Sequence, residues 1–232
     1  SQRLPLLAWL CAFAAGIAGC TTTDNPAHAT AYRQVGVTWL GEKSYRITSS
    51  LGTTIITNPF EAGFPADQKP DIVLITNGRA DSNNIDAFDN SPTIFRGSAG
   101  LGLYSSRGTR IRGIPVYENP LNESPEDMSL IFLWRMEGMH LCFIENLKQQ
   151  TELSTAQVKQ IGPVDVLLAP ASSMTKKLAE QLNARIVIPI GPDGAATAKT
   201  FPQKLELPGS SVFFSLDSMP EKRTAIGLAY PL

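Results

Sequence analysis

Histidine is nearly absent: the 232 residues contain two, and His28 lies in an N-terminal stretch of Thr, Asn, Pro and Ala. His140 stands alone in everything that follows, so a zinc hydrolase built on imidazole ligands cannot be assembled from this chain. Cysteine is scarce too. Cys11, Cys20 and Cys142 cannot staple a scaffold, and two of them fall in one N-terminal segment. An excess of either charge is also missing: 20 basic side chains meet 21 acidic ones, for a net charge of -1. No surface of that balance neutralises a phosphate backbone, which argues against a nucleic-acid partner. Disorder is excluded as the main state, because 43% of the residues are hydrophobic. The length suits one ordinary domain or two small ones.

What is present begins with a run from Leu4 to Thr23 that carries no charged side chain, preceded by Arg3 and followed by Asp24. About 20 helical residues rise roughly 30 Å, the thickness of a bilayer core. The flanking charges would keep the amino end in the cytoplasm and send the rest outward. The expectation is one N-terminal hydrophobic helix. Residues 1–23 would then act as membrane anchor or lipoprotein signal segment, 24–34 as linker and 35–232 as the folded domain. A second version rests on Ile17-Ala18-Gly19-Cys20, which resembles a bacterial lipobox and would make Cys20 the lipidated first residue. A cleaved secretory peptide or a buried core helix are the plainer alternatives. Either membrane version puts the domain on the periplasmic side of a bacterial cytoplasmic membrane, as an anchored protein or as a lipid-anchored periplasmic lipoprotein. Membrane lipid is thus an expected partner, through residues 4–23 or through Cys20, and a membrane protein or larger membrane complex is another.

Past the linker, short strand patterns dominate. Val35–Gly41, Ser44–Ser50 and Thr53–Thr57 are separated by glycine turns, and Asp71–Thr76 is a continuous apolar run of the kind covered on both faces. Further strands are expected at 93–95, 110–117, 128–135, 140–144, 164–169, 185–190, 211–215 and 224–230. Helices are expected at 154–161, capped at Ser154 or Thr155 and stopped by Gly162-Pro163, and at 174–182. Helices placed between buried strands define a layered α/β domain. The spacing suggests two sheet-forming halves, 35–118 and 128–230.

Four segments, VTWLGEKSYRITSSLGTTIITNPF (37–60), PDIVLITNGRADSNN (70–84), MEGMHLCFIENLKQQTELSTAQVKQIGPVDVLLAPA (136–171) and LNARIVIPI (182–190), together resemble the metallo-β-lactamase superfamily, its lactonase-like and metal-dependent hydrolase branch. The resemblance covers essentially 35–232. It implies a four-layer αββα sandwich with metal-binding loops along one edge. The family's metal motif falls on Asn77 and Arg79 where it has its first two histidines, on Asp81 at its aspartate, and on Ser82 at its next histidine. Glu118 takes the following histidine position, Asn146 the bridging aspartate and Gly191 the last histidine. Gly41-Glu42 replaces an early Gly-His pair, and Asn58 an aspartate before proline. Asn and Ser oxygens are weak neutral ligands, Gly has none, and a guanidinium repels a dication. No metal and no other cofactor is therefore expected, and Arg79 is expected to stand in electrostatically for the lost ions beside Asp81 and Glu118. His140 and Cys142 share one face of a strand, without an acid or oxyanion element to make them catalytic.

Three functions follow from this reading. The first is a non-catalytic, membrane-tethered pseudoenzyme serving as a structural or accessory subunit of a membrane assembly, with no catalytic residue. The second is a hydrolase of altered chemistry, in which Asn77, Asp81, Ser82, Glu118, Glu145 and Asn146 hold a hard cation. The third is a periplasmic binding or sensing domain whose old cleft holds a small anion against Arg79, with Arg112 and Tyr117 nearby. A deep, open cavity favours the third over the first. Arg107, Arg110 and Arg112 form the densest basic cluster, suited to an acidic partner or lipid headgroups.

Overall fold

A computed structural model describes residues 33–79, 81–117, 128–148 and 150–231. The N-terminal helix expected at residues 4–23, Cys20 and Glu118 all lie outside the described residues. Among those described, no helix is long and apolar enough to cross a membrane.

The first sheet is built from β1 (Val35–Gly41), β2 (Ser44–Ser49), β3 (Thr54–Thr57), β4 (Ile72–Leu74) and β5 (Thr93–Phe95). The second takes β6 (Gly102–Ser106), β7 (Thr109–Tyr117), β8 (Met128–Met136), β9 (Met139–Phe143), β10 (Val166–Pro170), β11 (Ile186–Ile190), β12 (Lys204–Glu206) and β14 (Thr224–Gly227). One late strand, β13 (Ser211–Phe214), crosses back to the first sheet. The six-stranded sheet runs β13-β1-β2-β3-β4-β5, and the eight-stranded sheet runs β12-β14-β11-β10-β9-β8-β7-β6. This departs from the two sequence halves: β6 and β7 join the second sheet, and β13 pairs antiparallel with β1.

Each sheet is mixed. Hairpin-linked strands at one side are antiparallel, while β3-β4-β5 and β9-β10-β11-β14-β12 pair in parallel. Sequence explains the division. VLLAP of β10 and IVIPI of β11 are apolar on both faces, as a doubly covered parallel strand must be. In TRIRGIPVY of β7, by contrast, Arg110 and Arg112 turn outward while Ile111 is buried.

The two sheets pack through one apolar core containing Val37, Trp39, Tyr45, Ile47, Ile55, Leu74, Phe132, Trp134, Phe143, Leu168 and Ile188. Tyr45 and Phe143 meet across it with ring centroids 6.4 Å apart. A second apolar cluster covers the other face of the eight-stranded sheet. There Cys142, Leu167 and Val187 pack with Leu178, Ala179 and Leu182 around α2 (Thr175–Gln181), and with Ala198 of α3 (Gly194–Ala198). Each large side chain buried in these layers contributes about 1.5–3 kcal/mol. Ser154 caps α1 (Thr155–Ile161) through a reciprocal capping box with Gln157, and Gly162 at φ 71° ends it. β12 and α3 escaped the sequence patterns for simple reasons: β12 is exposed at all three positions, and α3 is too short to show a helical period.

Candidate functional site

Several parallel strands end at the same edge of the sandwich, where loops from both sheets meet. Beyond β4, the chain continues as Ile75-Thr76-Asn77; beyond β9, as Ile144-Glu145; beyond β11, as Gly191. The tight β1–β2 turn brings Lys43 to this edge. Glu42 adopts φ 45° there and its carbonyl accepts the Trp39 Nε1–H at 2.9 Å, which fixes the turn against the core.

Glu145 is the centre of the resulting cluster, its side chain fully buried. One carboxylate oxygen accepts the Lys43 Nζ–H at 2.8 Å. The other accepts from the Thr76 hydroxyl and the Asn77 amide, and from Asn58 Nδ2 at 3.5 Å. Asn58, held at φ 44°, also accepts the Thr76 backbone N–H at 2.9 Å and donates to the Thr76 hydroxyl at 3.0 Å. A buried carboxylate is tolerated only with such compensation. Asp81 Oδ2 lies 3.8 Å from the same Lys43 ammonium, and Asp81 Oδ1 accepts the Ser82 hydroxyl at 3.1 Å. Burial alone would lower the Lys43 pKa, and Arg79 repels it as well; the Glu145 hydrogen bond and the attraction of Glu145 and Asp81 outweigh both and raise it. Lys43 is therefore a permanent cation at neutral pH.

The expected site residues divide. Asn77, Asp81, Ser82 and Asn58 belong to this cluster. Gly191 borders it: at φ 87°, it donates its N–H to the buried Tyr45 hydroxyl at 3.2 Å and lines a 220 Å³ cavity with Lys43 and Glu145. Asn146 does not enter; its oxygen accepts the Lys148 N–H at 3.1 Å and closes a local turn. Glu145 turns inward at the bend that follows β9, and the position matched to the bridging aspartate is spent on that local turn. The Glu42 side chain is exposed, and so is that of Arg79. The Arg79 backbone N–H donates to Asn77, and among the described residues its guanidinium forms no ion pair. Lys43, not Arg79, faces Asp81 and Glu145, while the expected pairing of Arg79 with Glu118 falls outside the described residues. Arg112 and Tyr117 do not line the Arg79 cleft. His140 is exposed and Cys142 buried, with burial pushing the thiol far up and leaving it inert.

Lys43 went unread in the sequence, although it directly follows the Gly41-Glu42 pair and the chain order alone put it beside the loop edge. Its donor chemistry also decides the metal question. Two zinc-class ions need several imidazoles or thiolates and a shared carboxylate. The cluster supplies one lysine, two amides, two hydroxyls and two carboxylates, and an ammonium already occupies one carboxylate oxygen of Glu145. Among the described residues, no three His, Cys, Asp or Glu side chains gather as a metal set. The described residues do not fit the zinc pair.

Residues 36–191 match the family model of the β-lactamase superfamily domain, and the chain belongs to that superfamily. Its fold is similar to a proposed zinc-dependent hydrolase of the metallo-β-lactamase superfamily from Thermotoga maritima, with TM-score 0.64 and 22% identity over 84% of this chain and 98% of that one. It is similar also to a proposed metal-dependent hydrolase from Parabacteroides distasonis, with TM-score 0.54 and 16% identity over 68% and 82%. A diphosphatase of the PhnP family matches with TM-score 0.53 and 11% identity over 85% and 95%. No curated protein has a significant match to the sequence.

This company overturns the expectation of a non-catalytic chain. The three similar structures named above are two proposed metal-dependent hydrolases and a diphosphatase. The inference from missing histidines to missing activity had counted only ligands. It overlooked that Lys43, Glu145 and Asp81 refill the same loops with charge.

Proposed function

We propose that this chain is a hydrolase in which a single fixed ammonium, Lys43, takes the electrostatic place of the superfamily's metal ions. The observation that carries the reading is the geometry around that nitrogen: 2.8 Å to a fully buried carboxylate and 3.8 Å to a half-exposed one. Glu145 is saturated by its donors, so it is a positioning residue that holds the ammonium in place. Asp81 is different. At 3.8 Å it is in charge contact with Lys43 but not hydrogen-bonded to it, which leaves a lone pair for a proton. In hydrolysis, Asp81 would take a proton from water as the water oxygen bonds to the electrophilic centre. Lys43 would stabilise the negative charge that develops on that centre's oxygen. The bond to the leaving group then breaks, and the proton held by Asp81 passes to the departing oxygen.

The test is turnover of nitrophenyl esters and phosphodiesters in the presence of a chelator. Lys43→Met should lower kcat about 10²–10³-fold, the size of a lost oxyanion donor. Asp81→Asn should lower it about 10²–10⁴-fold, the size of a lost general base. Turnover that needs added zinc, or that survives both substitutions, overturns the reading.

We infer also that the domain is held at a membrane, through residues 4–23 or a lipidated Cys20. The uncharged run behind Arg3 supports this. Intact-mass measurement on protein from membranes should give either the unprocessed chain or a species starting at Cys20 with acyl mass. Recovery of the unprocessed, unacylated chain wholly in the aqueous fraction would refute it.

A further inference from the structure

Beside the Lys43 cluster, on the far side of Asn77, opens a cleft of about 560 Å³, within the range of small-molecule sites. Arg79, Arg96 and Lys148 line it together with Asn77, Asn83 and Met128, and among the described residues no carboxylate does. In a chain of net charge -1, three cations around one cleft are a local excess. They come from three separate loops, after β4, after β5 and after β9, so neither a helix end nor a sequence run accounts for their meeting. None of the three is ion-paired with a described residue. Arg96 gives one N–H to Asn83 Oδ1 at 3.0 Å, which orients the guanidinium and leaves its remaining donors unspent. A Cβ added at Gly78 or Gly97, the cleft's two glycines, would meet nothing within 4 Å, so the space beside them is open.

We propose that this cleft binds the phosphoryl group of the substrate. The inference rests on the hydrolase reading above and deepens it by naming the substrate class: a small phosphorylated molecule whose scissile bond reaches past Asn77 to Lys43 and Asp81. Two guanidinium forks and an ammonium overcompensate a single carboxylate. A dianion with three terminal oxygens matches them in charge and in number of acceptors. The wall between cleft and cluster is built for the purpose: Asn77 donates to Glu145 on one side and accepts the Arg79 backbone N–H on the other. It ties the position of the anion cleft to that of the ammonium.

Calorimetry of the full chain in detergent at low salt, titrated with inorganic phosphate, tests this. Saturable binding is expected, with Arg79→Met and Arg96→Met each weakening it about tenfold, the loss of one charged hydrogen bond. Lys222→Met, an exposed position away from the cleft, should bind as the parent does. Absence of saturable binding overturns the inference, as does binding unchanged in both arginine variants or acetate bound as tightly as phosphate. The two readings fail separately. Phosphate binding that depends on the arginines, without turnover dependent on Lys43 and Asp81, leaves the cleft standing and removes the hydrolase. The reverse result removes the cleft alone.

Discussion

Glu145→Ala should cost about 3–5 kcal/mol of folding stability, the range for breaking a buried charged pair by removing one partner. The argument is one of acceptors. Lys43 keeps over a third of its side chain in solvent and can rehydrate when its partner goes. The Asn77 amide cannot: the residue is buried, and its remaining contact to the Thr76 hydroxyl is long at 3.3 Å. Thr76, Asn77 and Asn58 all aim donors at the vacated space, and each unsatisfied buried group costs about 1–3 kcal/mol. In a domain of this size the melting point should fall by about 6–20 °C. Denaturant unfolding should show a lower midpoint at an unchanged m-value. Glu152→Ala is the comparison, since Glu152 and Lys177 pair at 2.7 Å with about half of each side chain exposed, a pair contributing only about 0–1 kcal/mol. Equal losses in the two variants would show that Glu145 is not the organiser of the edge. The pH dependence has a definite sign. The folded-state pKa of Lys43 lies above its ordinary 10.5, so the contribution of its pairing is complete below that value. It is lost as pH rises through the raised one. The stability gap between parent and Lys43→Met should hold steady from neutral pH to the ordinary lysine range and narrow only above it.

The fold was legible because its strands announce themselves. VLLAP and IVIPI are apolar on both faces and can only be central strands, and Ser154 with Gln157 spells a capping box in four residues. Sheet membership was not legible in the same way. β13 has the same local pattern whichever sheet it joins; its place beside β1 is decided by tertiary packing, where the Phe213 ring lies over Gly36. The candidate site was half legible. Matching the superfamily's metal motif found Asn58, Asn77, Asp81 and Ser82, because the backbone still delivers those positions to one edge. It missed Lys43 and expected Arg79 where Lys43 meets Asp81, since a motif records which residue was lost and not which neighbour moved into its charge. Glu145 illustrates the point: it stands one residue from the matched position, at the bend after β9, and its side chain is the buried one.

Gly113→Ala should be among the most damaging single-methyl additions in the described domain. Gly113 lies in β7 on the same face as Ile111, paired with Gly102 on one side and Phe132 on the other. The short helical turn Gly97–Gly100 presses its backbone on this spot: a Cβ at Gly113 would sit 1.7 Å from the Gly100 carbonyl oxygen and 2.8 Å from its carbon. No rotamer change relieves such a contact, because both atoms are backbone. The turn is close-packed on the β8 side as well, where a Cβ at Gly100 would lie 2.5 Å from a Leu130 methyl, and its Gly100 N–H is bonded to the Arg96 carbonyl at 3.1 Å, so a shift carries Arg96 with it. Overpacking of this kind costs about 1–3 kcal/mol where side chains can yield and more where they cannot, so about 3 kcal/mol or more is expected. Gly209→Ala provides the control, its added methyl meeting nothing within 4 Å, and should unfold close to the parent. The Gly113 variant has a second readout. Any displacement of the turn moves Arg96 and Gly97, both of which line the cationic cleft. Phosphate binding should therefore weaken even at temperatures where the variant is fully folded. If Gly113→Ala melts with Gly209→Ala and binds phosphate as the parent does, the turn is not pinned by β7, and the placement of Arg96 needs another cause.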